Sequence, residues 1–74
     1  MIYTIKSSKG LLSYRRSYYF FGGNPVALFT TKKLAINMIK DLRQRYPERK
    51  YGKIHLSVAT EDVLAMAVVD KLKG

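Results

Sequence analysis

Few residues in this sequence have the chemistry of general acid–base or nucleophilic catalysis. His55 is the only histidine, and it stands two positions before Ser57. On one face of a strand this pair could act as base and nucleophile, but the local sequence supplies no carboxylate to orient the imidazole. An exposed polar strand position explains His55 without any chemistry. We therefore expect no catalytic residue and predict that the protein is not an enzyme.

The other groups that could carry chemistry also have structural explanations. Glu61 and Asp62 are adjacent at the expected start of a helix, where the macrodipole favours carboxylates. Gly22 and Gly23 precede Asn-Pro and lack the Gly-Lys-Ser/Thr of a phosphate-binding loop. The chain has no cysteine, and its acidic residues form no metal-ligand pattern. We expect no metal and no cofactor.

Charge is the strongest global indication of function. The chain of 74 residues carries a formal charge of +9. Residues 1–53 contain twelve lysines and arginines against two acids, whereas residues 54–74 contain two against three. A basic field in the first two thirds favours an anionic partner such as nucleic acid, an acidic protein surface or a membrane surface. The alternative is that the charge only keeps the protein soluble.

The segment from Tyr14 to Phe21 combines arginines with aromatic rings. It contains Arg15 and Arg16 together with five tyrosines and phenylalanines. Rings that stack on bases and cations that pair with phosphates are what binding of single-stranded nucleic acid requires. The segment does not match the RNP1 motif of RNA-recognition domains, because its glycines follow the aromatic residues.

Residues 11–21 are predicted to form one long strand, so their side chains should alternate between two faces. The rings expected to face the core are those of Tyr14, Tyr18 and Phe20. On the opposite face, Tyr19 and Phe21 are predicted to form an exposed stacking platform beside Arg15.

A second basic region covers the next helix and the loop after it. Lys33 and Lys40 lie on the outer face of the predicted helix, and Arg43 lies near Lys40, one turn further on. Arg49 and Lys50 lie in the loop. These basic side chains could contact phosphates, or they could form an ordinary solvated surface.

The last predicted helix follows the fourth predicted strand, and it is apolar on nearly every side over residues 63–69. A helix of this kind is buried or meets a second protein. We therefore predict a possible homodimer or partner interface at Val63, Met66 and Val69. Alternatively, only Leu64, Val68 and Leu72 pack and small residues face solvent.

The hydrophobic pattern predicts a single basic α+β domain over residues 1–74. Its expected order is β-β-β-α-β-α, with three to four mainly antiparallel strands and both helices on one face of the sheet. Thr30 or Thr31 should cap the first helix and Thr60 the second. The predicted strands cover residues 2–5, 11–21, 26–29 and 54–58.

The sequence also carries expectations about location. No apolar segment typical of a signal peptide follows Met1, and the longest apolar run, Val63 to Val69, is too short to span a bilayer. The absence of cysteine favours a reducing compartment. We expect a cytoplasmic protein that is not inserted in a membrane.

Two short stretches resemble small orphan accessory proteins of bacteriophages and prophages of Gram-positive bacteria. They are the start of the chain, Met1 to Lys6, and the strand-to-helix junction, Leu28 to Ala35. The resemblance implies an accessory protein that binds nucleic acid or blocks a host enzyme, and it assigns no residue a role.

Two functions of different classes remain open. The first is a nucleic-acid-binding module. The lysines and arginines of both basic regions would contact phosphates, and nucleobases would stack on Tyr19 and Phe21. The second is a protein-interaction module, such as a phage-type inhibitor that docks on an acidic or nucleic-acid-binding cleft of a host protein. Tyrosine and arginine are enriched at interface hot spots, so composition does not separate the two.

Overall fold

The computed structural model describes residues 1–65, which form one four-stranded antiparallel sheet and three helical segments. The spatial order of the strands is β3-β2-β1-β4. The elements, in chain order, are β1 (Tyr3–Ser7), β2 (Gly10–Arg15), β3 (Tyr18–Phe21), α1 (Lys32–Arg45), α2 (Glu48–Tyr51) and β4 (His55–Val58). Residues 61–65 form the third helical segment.

Tight packing of two glycines closes the turn between β1 and β2. Gly10 has φ 110° and Gly22 has φ 85°, a region that residues with a Cβ rarely adopt. A Cβ on Gly10 would lie 3.1 Å from the Cα of Gly22, and one on Gly22 would lie 2.6 Å from the carbonyl oxygen of Lys9. The end of β3 therefore lies directly against this turn, where the N–H of Gly22 donates to the carbonyl of Leu11 at 3.0 Å.

A two-residue turn at Arg16 and Ser17 divides the predicted long second strand into β2 and β3. Both residues have positive φ, 50° and 71°, as in the type I′ turn that suits the twist of a hairpin. Arg15 pairs with Tyr18 beside the turn, and the antiparallel register continues along the strands to the pair of Leu12 and Phe21. The third strand of the β-β-β-α-β-α order is thus Tyr18–Phe21.

The predicted strand over residues 26–29 is wrong in detail, because this segment forms only two isolated bridges. Val26 pairs with Ser13 of β2, and Phe29 pairs with Tyr3 of β1. Phe29 and Tyr3 exchange two backbone hydrogen bonds of 2.9 Å. Since β1 and β2 separate beyond their turn, the segment lies between them and supplies hydrogen-bond partners to both.

Buried Ser13 ties this segment to the hairpin. Its hydroxyl donates to the carbonyl oxygen of Gly23 at 2.7 Å, and its Oγ accepts the N–H of Gly23 at 3.1 Å. Because Ser13 is fully buried, the two bonds satisfy polar groups that water does not reach. They fix the chain that leaves β3 against the centre of β2.

Helix α1 starts and ends where its sequence predicts. Thr31 is the N-cap, and its Oγ1 accepts the N–H of Leu34 at 3.2 Å. The helix ends at Arg45, and the N–H of its C-cap, Tyr46, donates to the carbonyl of Leu42 at 2.8 Å. Pro47 follows, and the residue before a proline avoids the helical region.

The apolar side of α1 packs on β1 and β4 and encloses a small core. The buried apolar residues are Ile5, Leu12, Ala27, Ala35, Ile39, Leu42 and Ile54. A core of this size suits a small domain, which buries only about 60% of its unfolded surface. Partly buried rings must therefore supplement it.

The α+β class, the order of elements and the antiparallel sheet are confirmed. Thr60 caps the last helical segment as predicted, since its Oγ1 accepts the N–H of Val63 at 3.2 Å. Val63 is half-buried. The other two residues of the predicted oligomer interface, Met66 and Val69, lie outside the described residues. Within residues 1–65, no helix is long and apolar enough to cross a membrane.

We predict that Thr31→Ala lowers the free energy of unfolding by about 1 kcal/mol, because it removes the N-cap acceptor of α1. Urea denaturation measures the change. Thr30→Ala is the matched control, since the exposed side chain of Thr30 makes no hydrogen bond within residues 1–65. Equal destabilisation by the two variants would contradict the capping role of Thr31.

Candidate functional site

The outer face of the β2–β3 hairpin, which points away from α1, carries an exposed cation and two neighbouring rings. Arg15 and Tyr18 are cross-strand partners, so their side chains lie on the same face. The ring of Tyr18 lies 5.5 Å from that of Phe20 between centroids, with an interplanar angle of 42°. Tyr18 is 58% exposed and Phe20 is half-buried. We call Arg15, Arg16, Tyr18 and Phe20 the hairpin face.

A glycine beyond β3 leaves room for the second ring of this face. A Cβ on Gly23 would overlap the ring of Phe20, so the backbone of Gly23 lies directly against that ring. The same residue is held by its two hydrogen bonds to Ser13. Phe20 is therefore fixed in place by backbone contacts, whereas the neighbouring ring of Tyr18 remains open to solvent.

The prediction that Tyr19 and Phe21 form the exposed platform is wrong. Both are half-buried and pack against the core. Phe21 contacts two further rings, with centroid distances of 5.3 Å to Tyr46 and 5.8 Å to Tyr51. The hydroxyl of Tyr46 also donates to the carbonyl oxygen of Tyr19 at 3.0 Å. These contacts hold β3 to the end of α1 and to α2.

The expectation that Tyr14, Tyr18 and Phe20 share a core-facing side is also wrong. The turn reverses the chain, so Tyr14 pairs with Tyr19 on one face and Tyr18 pairs with Arg15 on the other. Tyr14 is 43% exposed although it lies on the core side of the sheet, because α1 packs mainly on β1 and β4.

An aromatic groove therefore lies on the core side of the hairpin, beyond the part of the sheet that α1 covers. It has a volume of about 310 Å³ and is lined by Tyr14, Tyr19 and residues 25–29. The rings of Tyr14 and Tyr19 are 4.7 Å apart, with an interplanar angle of 49°. We call this the Tyr14–Tyr19 groove. Its two tyrosines lie on the opposite side of the hairpin from Arg15 and Tyr18.

The second basic region lies apart from the hairpin face. Lys33 and Lys40 are exposed on the side of α1 opposite its buried stripe, so they point away from the sheet. The hairpin face points away from the sheet on its other side. Lys33 and Lys40 therefore do not share one flat surface with Arg15 and Arg16.

Arg43 lies in the last turn of α1, and Arg49 and Lys50 lie on α2. The Nη2 of Arg43 donates to the carbonyl oxygen of Ile54 at 3.1 Å, which makes this arginine part of the structure at the start of β4. Arg49 and Lys50 are exposed. A pocket of about 290 Å³ beside them includes Glu48 together with Arg43 and Lys53, so its charge is mixed.

The only histidine and the acidic side chains of the described residues do not gather into one site. His55 is exposed, and its Nδ1 hydrogen-bonds to the carbonyl oxygen of Lys53 at 3.0 Å. Among residues 1–65, no three side chains of histidine, cysteine, aspartate or glutamate come together as a metal site.

Comparison of this chain with protein-family models, with curated proteins and with solved structures finds no match. The class that the fold defines is a small α+β domain, and any function must be argued from the surface.

Sequence reasoning missed Tyr14 and Tyr18 as the exposed rings, and it missed the groove beside residues 25–29. The signal that could have found them is the interruption of the aromatic run by three polar residues, Arg15 to Ser17. A two-residue turn there exchanges the faces of all the rings that follow it.

We predict that Arg16→Asn combined with Ser17→Gly raises the free energy of unfolding by about 1 kcal/mol. Left-handed backbone costs ordinary residues roughly 1–2 kcal/mol, and Asn-Gly is the pair that this turn favours. Urea denaturation measures the gain. Arg16→Ala with Ser17→Ala is the control, because it removes the same side chains and keeps the backbone cost. An equal gain in the alanine variant would contradict this explanation.

Proposed function

We propose that this protein is a nucleic-acid-binding module and that the hairpin face is its contact surface. The observation that carries the proposal is the pair of rings at Tyr18 and Phe20 beside Arg15. Rings that stack on bases, next to cations that contact phosphates, are the elements with which proteins bind nucleic acid strands. The proposed contacts are phosphate pairing by Arg15 and Arg16 and base stacking on Tyr18.

The charge around the hairpin supports an anionic ligand. Residues 1–40 contain seven lysines and arginines and no acidic residue. The first acid in the chain, Asp41, lies on α1 and has an ion-pair partner in Arg45 at 3.5 Å. The hairpin over residues 10–21 carries Arg15 and Arg16 and no carboxylate of its own, so it attracts phosphates over distances of about a Debye length, roughly 8–10 Å.

The backbone of the turn is a second, independent support. Arg16 and Ser17 occupy positions where Asn-Gly would cost less. Conformational cost of this kind tends to persist at functional sites. The position of Arg16 at the exposed tip of the hairpin gives its guanidinium access to a ligand on either side. We propose that this access is the reason an arginine stands there.

The predicted contacts on α1 and α2 take a secondary place in this proposal. Lys33 and Lys40 face away from the hairpin, and Arg43 is engaged with the backbone of Ile54. These three basic side chains, together with Arg49 and Lys50, contribute to the overall positive field. The absence of cysteine suits action in a reducing compartment such as the cytoplasm.

Charge reversal tests the proposal. We expect Arg15→Glu with Arg16→Glu to weaken binding to labelled nucleic acid at least about tenfold, since one hydrogen bond to a charged group contributes about 1.5–3 kcal/mol. Fluorescence anisotropy over a salt series measures affinity. We also expect the slope of log affinity against log salt to become shallower by roughly 0.7 for each single-strand phosphate that the variant no longer neutralises.

The matched control is Arg49→Glu with Lys50→Glu, which changes the net charge by the same amount on α2. Circular dichroism should show that both variants are folded. Equal loss of affinity in the two variants would mean that only the total charge matters, and the proposed surface would be wrong. Absence of binding at about 0.15 M salt would refute the function, and a partner protein with an acidic or nucleic-acid-binding cleft would then be sought by pull-down.

A further inference from the structure

We infer that the nucleic acid is single-stranded and wraps around the tip of the hairpin, with one base stacked on Tyr18 and another inserted in the Tyr14–Tyr19 groove. The inference rests on the proposed function and adds to it the strandedness of the ligand and a second binding site. Its basis is that two exposed rings lie on opposite faces of the same hairpin, with two arginines at the tip between them.

The groove has the size and lining for one planar ring. Ligand pockets for drug-sized molecules start at about 300 Å³, so a groove of about 310 Å³ accepts a single small ring system. Tyr14, Tyr19 and Phe29 supply aromatic surfaces, and Pro25 and Val26 supply apolar ones. Aromatic side chains stack on any base because every base has a π-face. A nucleobase therefore matches this lining.

The arrangement of charge selects a nucleic acid strand as the source of that ring. Arg15 adjoins Tyr14 in sequence and shares the outer face with Tyr18, and Arg16 forms the turn. A strand that reached from one ring to the other would pass its phosphates over these guanidinium groups. A neutral apolar ligand would gain nothing from them.

Geometry excludes a duplex from the same path. Bases in a duplex are stacked on each other, so their faces are not available to protein rings. Double-stranded DNA also has a persistence length of about 50 nm and does not turn around a two-stranded hairpin. A flexible single strand meets both requirements, since its bases are exposed and its backbone bends within a few nucleotides.

The first test compares strandedness. We expect an oligothymidylate of about 12 nucleotides, within the range that small single-strand-binding folds cover, to bind at least about tenfold more tightly than its duplex with oligoadenylate. An oligouridylate of the same length tests RNA, and tight binding of either strand supports the inference. Equal affinity for strand and duplex would overturn the inference and leave the proposed function standing.

The second test separates the two rings. We expect Tyr14→Ala and Tyr18→Ala each to weaken single-strand binding by about 5- to 150-fold, the range expected when one base no longer stacks. Tyr14→Phe and Tyr18→Phe keep the ring and should retain affinity. Leu34→Ala is the control, because Leu34 is an exposed apolar residue on α1. Unchanged binding by Tyr14→Ala would remove the groove from the site.

Cross-linking locates the bases directly. The probe is an oligothymidylate in which iodouracil replaces thymine, irradiated in complex with the full chain. Trypsin cleaves after Arg15 and Arg16, so Tyr14 and Tyr18 fall in different peptides, residues 10–15 and 17–32. We expect cross-links at both tyrosines. Cross-links at Tyr18 alone would overturn the wrapped path and keep the hairpin face, whereas cross-links confined to α1 or α2 would refute both proposals.

Discussion

The two-residue turn at Arg16 and Ser17 is the constraint on which the surface of this protein depends. Side chains on a strand alternate with a period of two, so Tyr14 and Tyr18, four positions apart, would share a face on a continuous strand. Across a two-residue hairpin, Tyr14 opposes Tyr19 and Arg15 opposes Tyr18. The turn therefore moves Tyr18 to the outer face. It separates the aromatic residues into rings that stabilise the fold and rings that remain accessible.

The hairpin is held at its base, and its tip is free for contacts. Ser13 bonds to Gly23 on one side, and on the other side Phe21 packs against the rings of Tyr46 and Tyr51. Ser13 lies three positions before Arg16, and Phe21 lies four positions after Ser17. Since α1 covers β1 and β4, the core side of the hairpin near Tyr14 stays open. Tyr14 is one of the residues that line the groove on this side.

The sequence predicted those parts of the fold that local rules determine. The apolar stripe of α1, its cap at Thr31 and its end before Pro47 follow from helical periodicity and from the chemistry of single residues. The alternation of β4 predicted that strand well, within one residue at its start. In each case the neighbouring residues alone determine the structure.

The remaining features depend on contacts between distant residues. Arg-Ser lacks the Asn-Gly signature of a type I′ turn, so the polar interruption at these residues does not by itself predict a hairpin. The short helix α2 docks on the β1–β2 turn, where the N–H of Ser8 donates to the carbonyl of Tyr51 at 2.9 Å. The β2–β3 hairpin determines which rings are exposed, and the sequence therefore predicted exposure for Tyr19 and Phe21 in place of Tyr14 and Tyr18.

In the proposed site, cations attract phosphates and rings stack on nucleobases. These two roles explain why a small domain would keep an unfavourable turn. Electrostatic attraction is sequence-independent and falls steeply with salt, so a charge of +9 alone gives contact without discrimination. Stacking requires exposed base faces and therefore distinguishes a strand from a duplex. A site that combines the two interactions needs a protrusion that presents rings on two sides and cations at its end. An arginine at the tip supplies the cation, and Asn-Gly would supply only stability.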